Sequence, residues 1–106
     1  MFRRWLIPAA ITLALMSCTK RPEYTTGAAV FWGECGKCHK MNDRGGTKGP
    51  ELTRVFEKHD EEYIRTYIWD PRSIKGDGIM PPAEISEKEL SLVVEYLKQR
   101  GASHTK

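Results

Sequence analysis

A chain of 106 residues has room for one domain at most, and with 40% apolar residues it can bury only a thin core. Its 17 lysines and arginines face 14 acids, a formal charge of +3; without Arg3 and Arg4, which fall in an N-terminal leader, the balance is +1. So near-neutral a chain is not a general nucleic-acid binder. So small a domain commonly needs a staple such as a metal or a cofactor.

Residues 1–17 have the layout of an export signal. Arg3 and Arg4 make a positive start, residues 5–16 are mostly apolar, and small and polar residues precede Cys18. The apolar run is shorter than the roughly 20 residues needed to span a bilayer. Leu15-Met16-Ser17-Cys18 resembles a bacterial lipobox, in which the cysteine is lipidated and becomes the new N-terminus. The alternative is an ordinary cleaved signal with an incidental cysteine. Lipidation predicts a soluble domain of 89 residues, 106 less 17, held at the periplasmic face of a bacterial membrane. Residues 18–26, polar and poor in apolar side chains, are expected to be the tether.

Residues 27–35 carry no proline and place Val30, Phe31 and Trp32 where a helix can bury them, with Trp32 turned away from Phe31. Then comes Cys35-Gly36-Lys37-Cys38-His39, two thiols and an imidazole within five residues. A zinc site usually needs four ligands, and the one further cysteine is Cys18. A thioredoxin-like pair calls for a βαβ setting that the surrounding pattern lacks. A disulfide between Cys35 and Cys38 leaves His39 without a role. A c-type haem uses all three residues: both sulfurs bond the porphyrin and the imidazole takes the iron.

On this motif the chain resembles the cytochrome c family, and the segments on either side extend the resemblance over residues 27–101. It resembles the small bacterial monohaem members of class I more than the mitochondrial proteins. The implied fold is all-α: three main helices and loops around one covalently attached haem c, in a domain of residues 27–102 followed by a tail of residues 103–106. Gly27-x-x-x-Phe31-x-x-x-Cys35 is similar to the family's first helix, where glycine permits a close crossing with the last helix. Gly49-Pro50-Glu51-Leu52 resembles a segment in which the proline carbonyl accepts a hydrogen bond from the haem histidine while the leucine packs on the haem. By resemblance, Pro50 and Leu52 take those roles.

The residues between the motif and that segment are polar and glycine-rich, with Gly45-Gly46 as the clearest turn signal. Met41 is too close to His39 to reach the opposite side of an iron, and is read as packing or surface. Asp60 caps a helix predicted over residues 61–69, with Tyr63, Ile64, Tyr67 and Ile68 as its apolar stripe and Pro71 as its stop. The resemblance implies that Tyr67 lies over the haem, with Trp69 a second pocket residue. His59 is a possible second imidazole ligand, without any motif around it.

The glycine- and proline-rich loop over residues 72–83 carries Met80. A methionine in a polar loop has little packing to do, and Gly78-Ile79-Met80-Pro81 is similar to the family's axial-methionine loop. His39 and Met80 are therefore the expected iron ligands. Ser86 and Glu89 form a capping box, Leu90, Val93, Val94 and Leu97 follow at helical spacing, and Gly101 is expected to end the helix. His104 is expected to be exposed.

Taken together, these residues imply a His/Met-ligated electron carrier, a monomer and not an enzyme, moving single electrons between redox proteins outside the cytoplasm. Lys37, Lys40, Arg44, Lys48 and Lys75 either steer it onto an acidic partner or simply solvate the surface. The rival readings are a five-coordinate gas-binding or sensing haem protein and a tethered haem subunit of a larger oxidase or reductase.

Overall fold

Two helices distant in sequence meet at Gly27, and the rest of the domain is arranged about that crossing. The computed structural model describes residues 21–104; the leader, Cys18 and the first part of the tether lie outside the described residues, as do residues 105 and 106. Helix α1 (Gly27–Val30) is capped by the Thr26 hydroxyl, which accepts from the Ala29 N–H at 3.1 Å. It passes into a π-helical turn over Phe31–Cys35, where Gly36 N–H bonds to the Phe31 carbonyl at 2.8 Å. One continuous helix was the expectation here. The wider turn falls immediately before the cysteine motif, and such turns are often found at functional sites.

Helix α4 (Glu87–His104) lies across α1. A Cβ at Gly27 would be driven into the Leu92 carbonyl oxygen and would stand 2.6 Å from Tyr96 Cβ, so only glycine admits this approach. Phe31 is fully buried at the crossing, its ring 5.9 Å from that of Tyr96. Val30, Phe31, Met41, Ile64, Ile68, Ile85, Leu90, Val93, Val94 and Leu97 form the core.

Helix α3 (Glu61–Trp69) has the expected bounds. Asp60 Oδ1 accepts from Tyr63 N–H at 2.9 Å, and Pro71 opens a 3-10 turn (Pro71–Ser73). Ile64 and Ile68 are buried, and Tyr63 and Tyr67 flank them half-buried. Two elements were not foreseen. Helix α2 (Val55–Lys58) is a single turn. Strands β1 (Lys40–Met41) and β2 (Arg44–Gly45) form a small hairpin pairing Lys40 with Gly45 and Met41 with Arg44. Its turn is Asn42-Asp43, both at positive φ (54° and 66°), rather than Gly45-Gly46. Met41 is packing, 1% exposed in the core.

Two further expectations need correction. Gly101 does not end the last helix, which runs on to His104, so residues 103 and 104 are helical rather than tail. Gly101 is buried, and a Cβ there would stand 3.2 Å from the Thr53 carbonyl oxygen, so it serves close packing rather than a left-handed cap. Nor are residues 21–26 a loose tether. Arg21 makes a forked pair with Glu89, Nη1 to Oε2 and Nη2 to Oε1, both 2.9 Å. Tyr24 N–H donates to Glu89 Oε2 at 2.7 Å, and the Ser86 hydroxyl donates to Glu23 at 2.8 Å. The segment is a strap laid against the start of α4.

Glu89 is the point where the strap and the helix cap share a group. Only 1% exposed, it also accepts from Ser86 N–H at 2.8 Å, while Ser86 Oγ accepts from Glu89 N–H at 3.1 Å, completing the capping box. The hydrogen bonds from Arg21, with those from the Ser86 and Tyr24 amides, outweigh burial and hold the Glu89 carboxyl down to about 2. A carboxylate whose value is depressed in the folded chain stabilises the fold above its ordinary range and ceases to as the pH falls through the depressed value.

Two outcomes follow from these contacts. Denaturant titrations should show stability falling between about pH 4.5 and about pH 2, with Glu89→Gln less stable at neutral pH and lacking that part of the acid dependence. Gly27→Ala should lower unfolding stability by about 1–3 kcal/mol, because the crossing has no space for a methyl group.

Candidate functional site

The cysteine–histidine motif is one tight turn. The Cys35 carbonyl accepts from both Cys38 N–H (3.1 Å) and His39 N–H (3.0 Å), bringing the three side-chain-bearing positions together directly after the π turn. Both cysteines are half-buried free thiols, and His39 is 9% exposed. Burial pushes the Cys35 thiol up to about 11, and the negative charge of Glu34 and the neighbouring Cys38 act in the same direction. A thiol serving as a redox nucleophile or a zinc thiolate needs a shift the other way. Among the described residues, no three His, Cys, Asp or Glu side chains gather as a metal site of their own.

A second loop is seamed to this turn by its backbone. Gly46 N–H bonds the Gly36 carbonyl at 2.9 Å, Gly49 N–H the Cys38 carbonyl at 2.7 Å, and Leu52 N–H the Lys40 carbonyl at 2.9 Å. The seam lays Gly49 on the face of the imidazole. A Cβ at Gly49 would overlap His39 Cε1 and stand 2.7 Å from Nδ1 and 3.0 Å from Nε2. The next residue delivers the polar contact: the Pro50 carbonyl oxygen is 2.8 Å from His39 Nδ1. A carbonyl can only accept, so the proton sits on Nδ1 and the Nε2 lone pair is left to bind an electrophile. The same bond fixes the plane of the ring and raises its basicity as a metal ligand. Thr53, buried behind the loop, accepts from Asn42 N–H and donates to Glu51, both at 2.8 Å, which ties the hairpin to the loop.

The remaining candidates lie on other elements. Leu52 is half-buried against the core. Tyr67 belongs to an aromatic row along α3. Its ring centroid is 5.9 Å from that of Tyr63, which in turn stacks on His59 at 3.9 Å, nearly parallel. His59 is thus engaged as a stacking partner. Trp69, two residues on and roughly 200° around the helix from Tyr67, is 47% exposed in a groove with Arg65, Thr66, Asp70, Glu87 and Leu90. Met80 is half-buried on the irregular segment joining the Pro71–Ser73 turn to α4. Of the basic residues near the motif, Arg44 stacks over the Trp32 ring at 4.7 Å, while Lys37 and Lys48 are exposed; Lys75, on the Met80 segment, is exposed as well.

The sequence profile of the family described as Cytochrome c matches residues 24–101. The chain belongs to the cytochrome c family. As a cytochrome c it is a haem c electron-transfer protein, the haem being covalently held as the family implies. The matched region starts at Tyr24, inside the strap, in keeping with the docking of that segment. Over 82 residues the chain is 28% identical to the cytochrome c oxidase subunit 2 of Alkalihalophilus pseudofirmus, taking in 68% of this chain and 24% of that protein. The cytochrome c thus spans about a quarter of the length of this curated relative. No solved structure matches it. The sequence marks Gly49 only as the start of the Gly49-Pro50-Glu51-Leu52 segment; its value as the residue that admits the imidazole is visible once the loop folds back on His39.

Gly49→Ala should displace the imidazole from the Pro50 carbonyl. The haem-loaded variant is expected to lose about 1–3 kcal/mol of stability in denaturant titrations and to accumulate with less haem per chain.

Proposed function

We propose that this cytochrome c carries single electrons between redox proteins outside the cytoplasm, with Cys35 and Cys38 bonded to one haem and His39 and Met80 as the iron ligands. The observation that supports this most directly is the His39–Pro50 hydrogen bond, which occupies Nδ1 and leaves Nε2 as the ring nitrogen for iron, on the same turn that carries the two thiols. The half-buried free cysteines suit side chains that end as thioethers, and the Gly49 contact with the ring suits an imidazole that must not rotate.

When bound, the haem supplies a one-electron ferric–ferrous couple. The chain's part is to keep the surroundings the same in both states. His39 is held by its second nitrogen. Met80 offers a soft thioether that favours ferrous iron and raises the potential relative to a second imidazole. Neither side chain has to leave during the cycle, so reorganisation stays small. Leu52 and Tyr67 are assigned to the pocket lining; Trp69, on the other side of α3 and exposed, is left out of it. Exposed Lys37, Lys48 and Lys75 suit an acidic partner surface.

Lipidated Cys18 is the proposed membrane attachment, on the strength of the lipobox-like Leu15-Met16-Ser17-Cys18; no helix among the described residues is long and apolar enough to cross a membrane. The relative named as a cytochrome c oxidase subunit 2 supports a second reading, in which the domain works as a tethered haem subunit of a larger oxidase rather than as a mobile carrier.

The full chain, made with the haem-attachment machinery, tests both the site and the anchor. The pigment should survive acid–organic extraction in the native protein and be extracted from the Cys35→Ser/Cys38→Ser double variant. Met80→Ala should abolish the weak far-red band of a ferric iron–thioether bond, lower the reduction potential, and admit carbon monoxide to the ferrous protein. Cys18→Ser should move the protein from the membrane fraction to the soluble fraction. Rapid carbon monoxide binding by the native ferrous protein at neutral pH would count for a gas-binding haem instead, and stable co-purification with oxidase subunits for the subunit reading.

A further inference from the structure

We infer that Arg21 is a positioning residue for the methionine side of the iron, fastening the C-terminal stem of the Met80 segment to the cysteine–histidine turn. The inference rests on the His39/Met80 ligation proposed above.

The Met80 segment has no regular structure of its own between the Pro71–Ser73 turn and α4, and Ile79, beside Met80, is 80% exposed. Its downstream end is secured from outside. Ala83 N–H bonds the Ile68 carbonyl of α3 at 3.2 Å, and the next residue is taken by the strap: Arg21 Nη2 donates to the Glu84 carbonyl at 2.9 Å. The same guanidinium grips Glu89 through both terminal nitrogens and approaches Glu34 Oε2 with Nε at 3.5 Å. Glu34 immediately precedes Cys35 and is bonded a second time by the Tyr24 hydroxyl at 2.9 Å, while the Tyr24 ring lies 4.4 Å beneath the guanidinium.

One planar group therefore spans three elements: the stem of the Met80 segment, the capping turn of α4 and the residue that leads into the cysteine motif. Lysine could satisfy one of these partners but not the fork. Without the fork, the stem keeps the Ala83 bond, the packing of Ile85 and, at its junction with α4, the Ser86–Glu23 bond, but nothing among the described residues holds Glu84 to the cysteine turn. The segment would then spend more time with Met80 lifted, and an added ligand gains in proportion to that open population.

The test uses the full-length, haem-loaded ferric protein at neutral pH, titrated with imidazole and followed by the far-red iron–thioether band. Arg21→Gln is expected to bind imidazole about tenfold more tightly than the native protein. Arg21→Lys should fall between the two and serves as the readout should the glutamine variant fail to fold. Lys98→Gln, which removes a surface ion pair of similar length (2.7 Å to Glu61), should leave imidazole binding unchanged. If the Arg21 variants melt at lower temperature but bind imidazole within about twofold of the native protein, Arg21 only stabilises the fold and the inference is wrong. A native ferric protein without the far-red band would remove the methionine ligation itself, and the role of Arg21 with it; a native protein with the band and unmoved variants would remove the role of Arg21 alone.

Discussion

The hydrogen bond from His39 Nδ1 to the Pro50 carbonyl, 2.8 Å long, is the contact around which the site is built. A backbone acceptor settles which nitrogen carries the proton, and the choice is made in the fold rather than by an incoming ligand. For the carbonyl to be there, the loop must return to the cysteine turn, and three backbone bonds from residues 46, 49 and 52 bring it back. For the loop to lie that close, residue 49 must lack a side chain. Pro50 further restricts the residue before it, which narrows the conformations open to the loop. Each requirement is met by a residue type that carries no reactive group of its own.

A second constraint works at the other end of the domain. Helices α1 and α4 approach closely at Gly27, burying Phe31 and leaving Tyr96 on the flank. The cysteine motif follows α1 without a break, so the position of the motif is inherited from the crossing through the π turn. The site is thereby referenced to the longest helix, while its second loop is referenced to the motif itself. A small domain with a thin core gains from this economy, because few residues hold the site without also holding the fold.

Local signals were legible in the sequence, and pairings between distant residues were not. Helix α3 could be bounded because Asp60 and Pro71 act on the backbone next to them, and the Ser86–Glu89 box was readable for the same reason. The cysteine motif carries its meaning in five residues. In contrast, Arg21 and Glu89 are 68 positions apart, and an arginine in a polar stretch looks like any solvated cation until its partner is placed. The short α2 and the Asn42-Asp43 hairpin leave too few residues for a period to show. Gly101 misled because glycine after an amphipathic run signals a helix end and a close contact equally well; the proximity of Thr53 decides it.

The docked strap also bears on how such a domain can be moved between proteins. A relative in which the matching region is about a quarter of a longer chain shows this kind of unit in a composite setting. The transplantable piece does not begin at the first helix. A graft joined at Gly27 would carry Glu89 into its recipient as an interior anion stripped of its counter-ion, whereas one joined upstream of Arg21 would bring the cation along. Residues 21 and 89 therefore have to travel as a pair in any such graft.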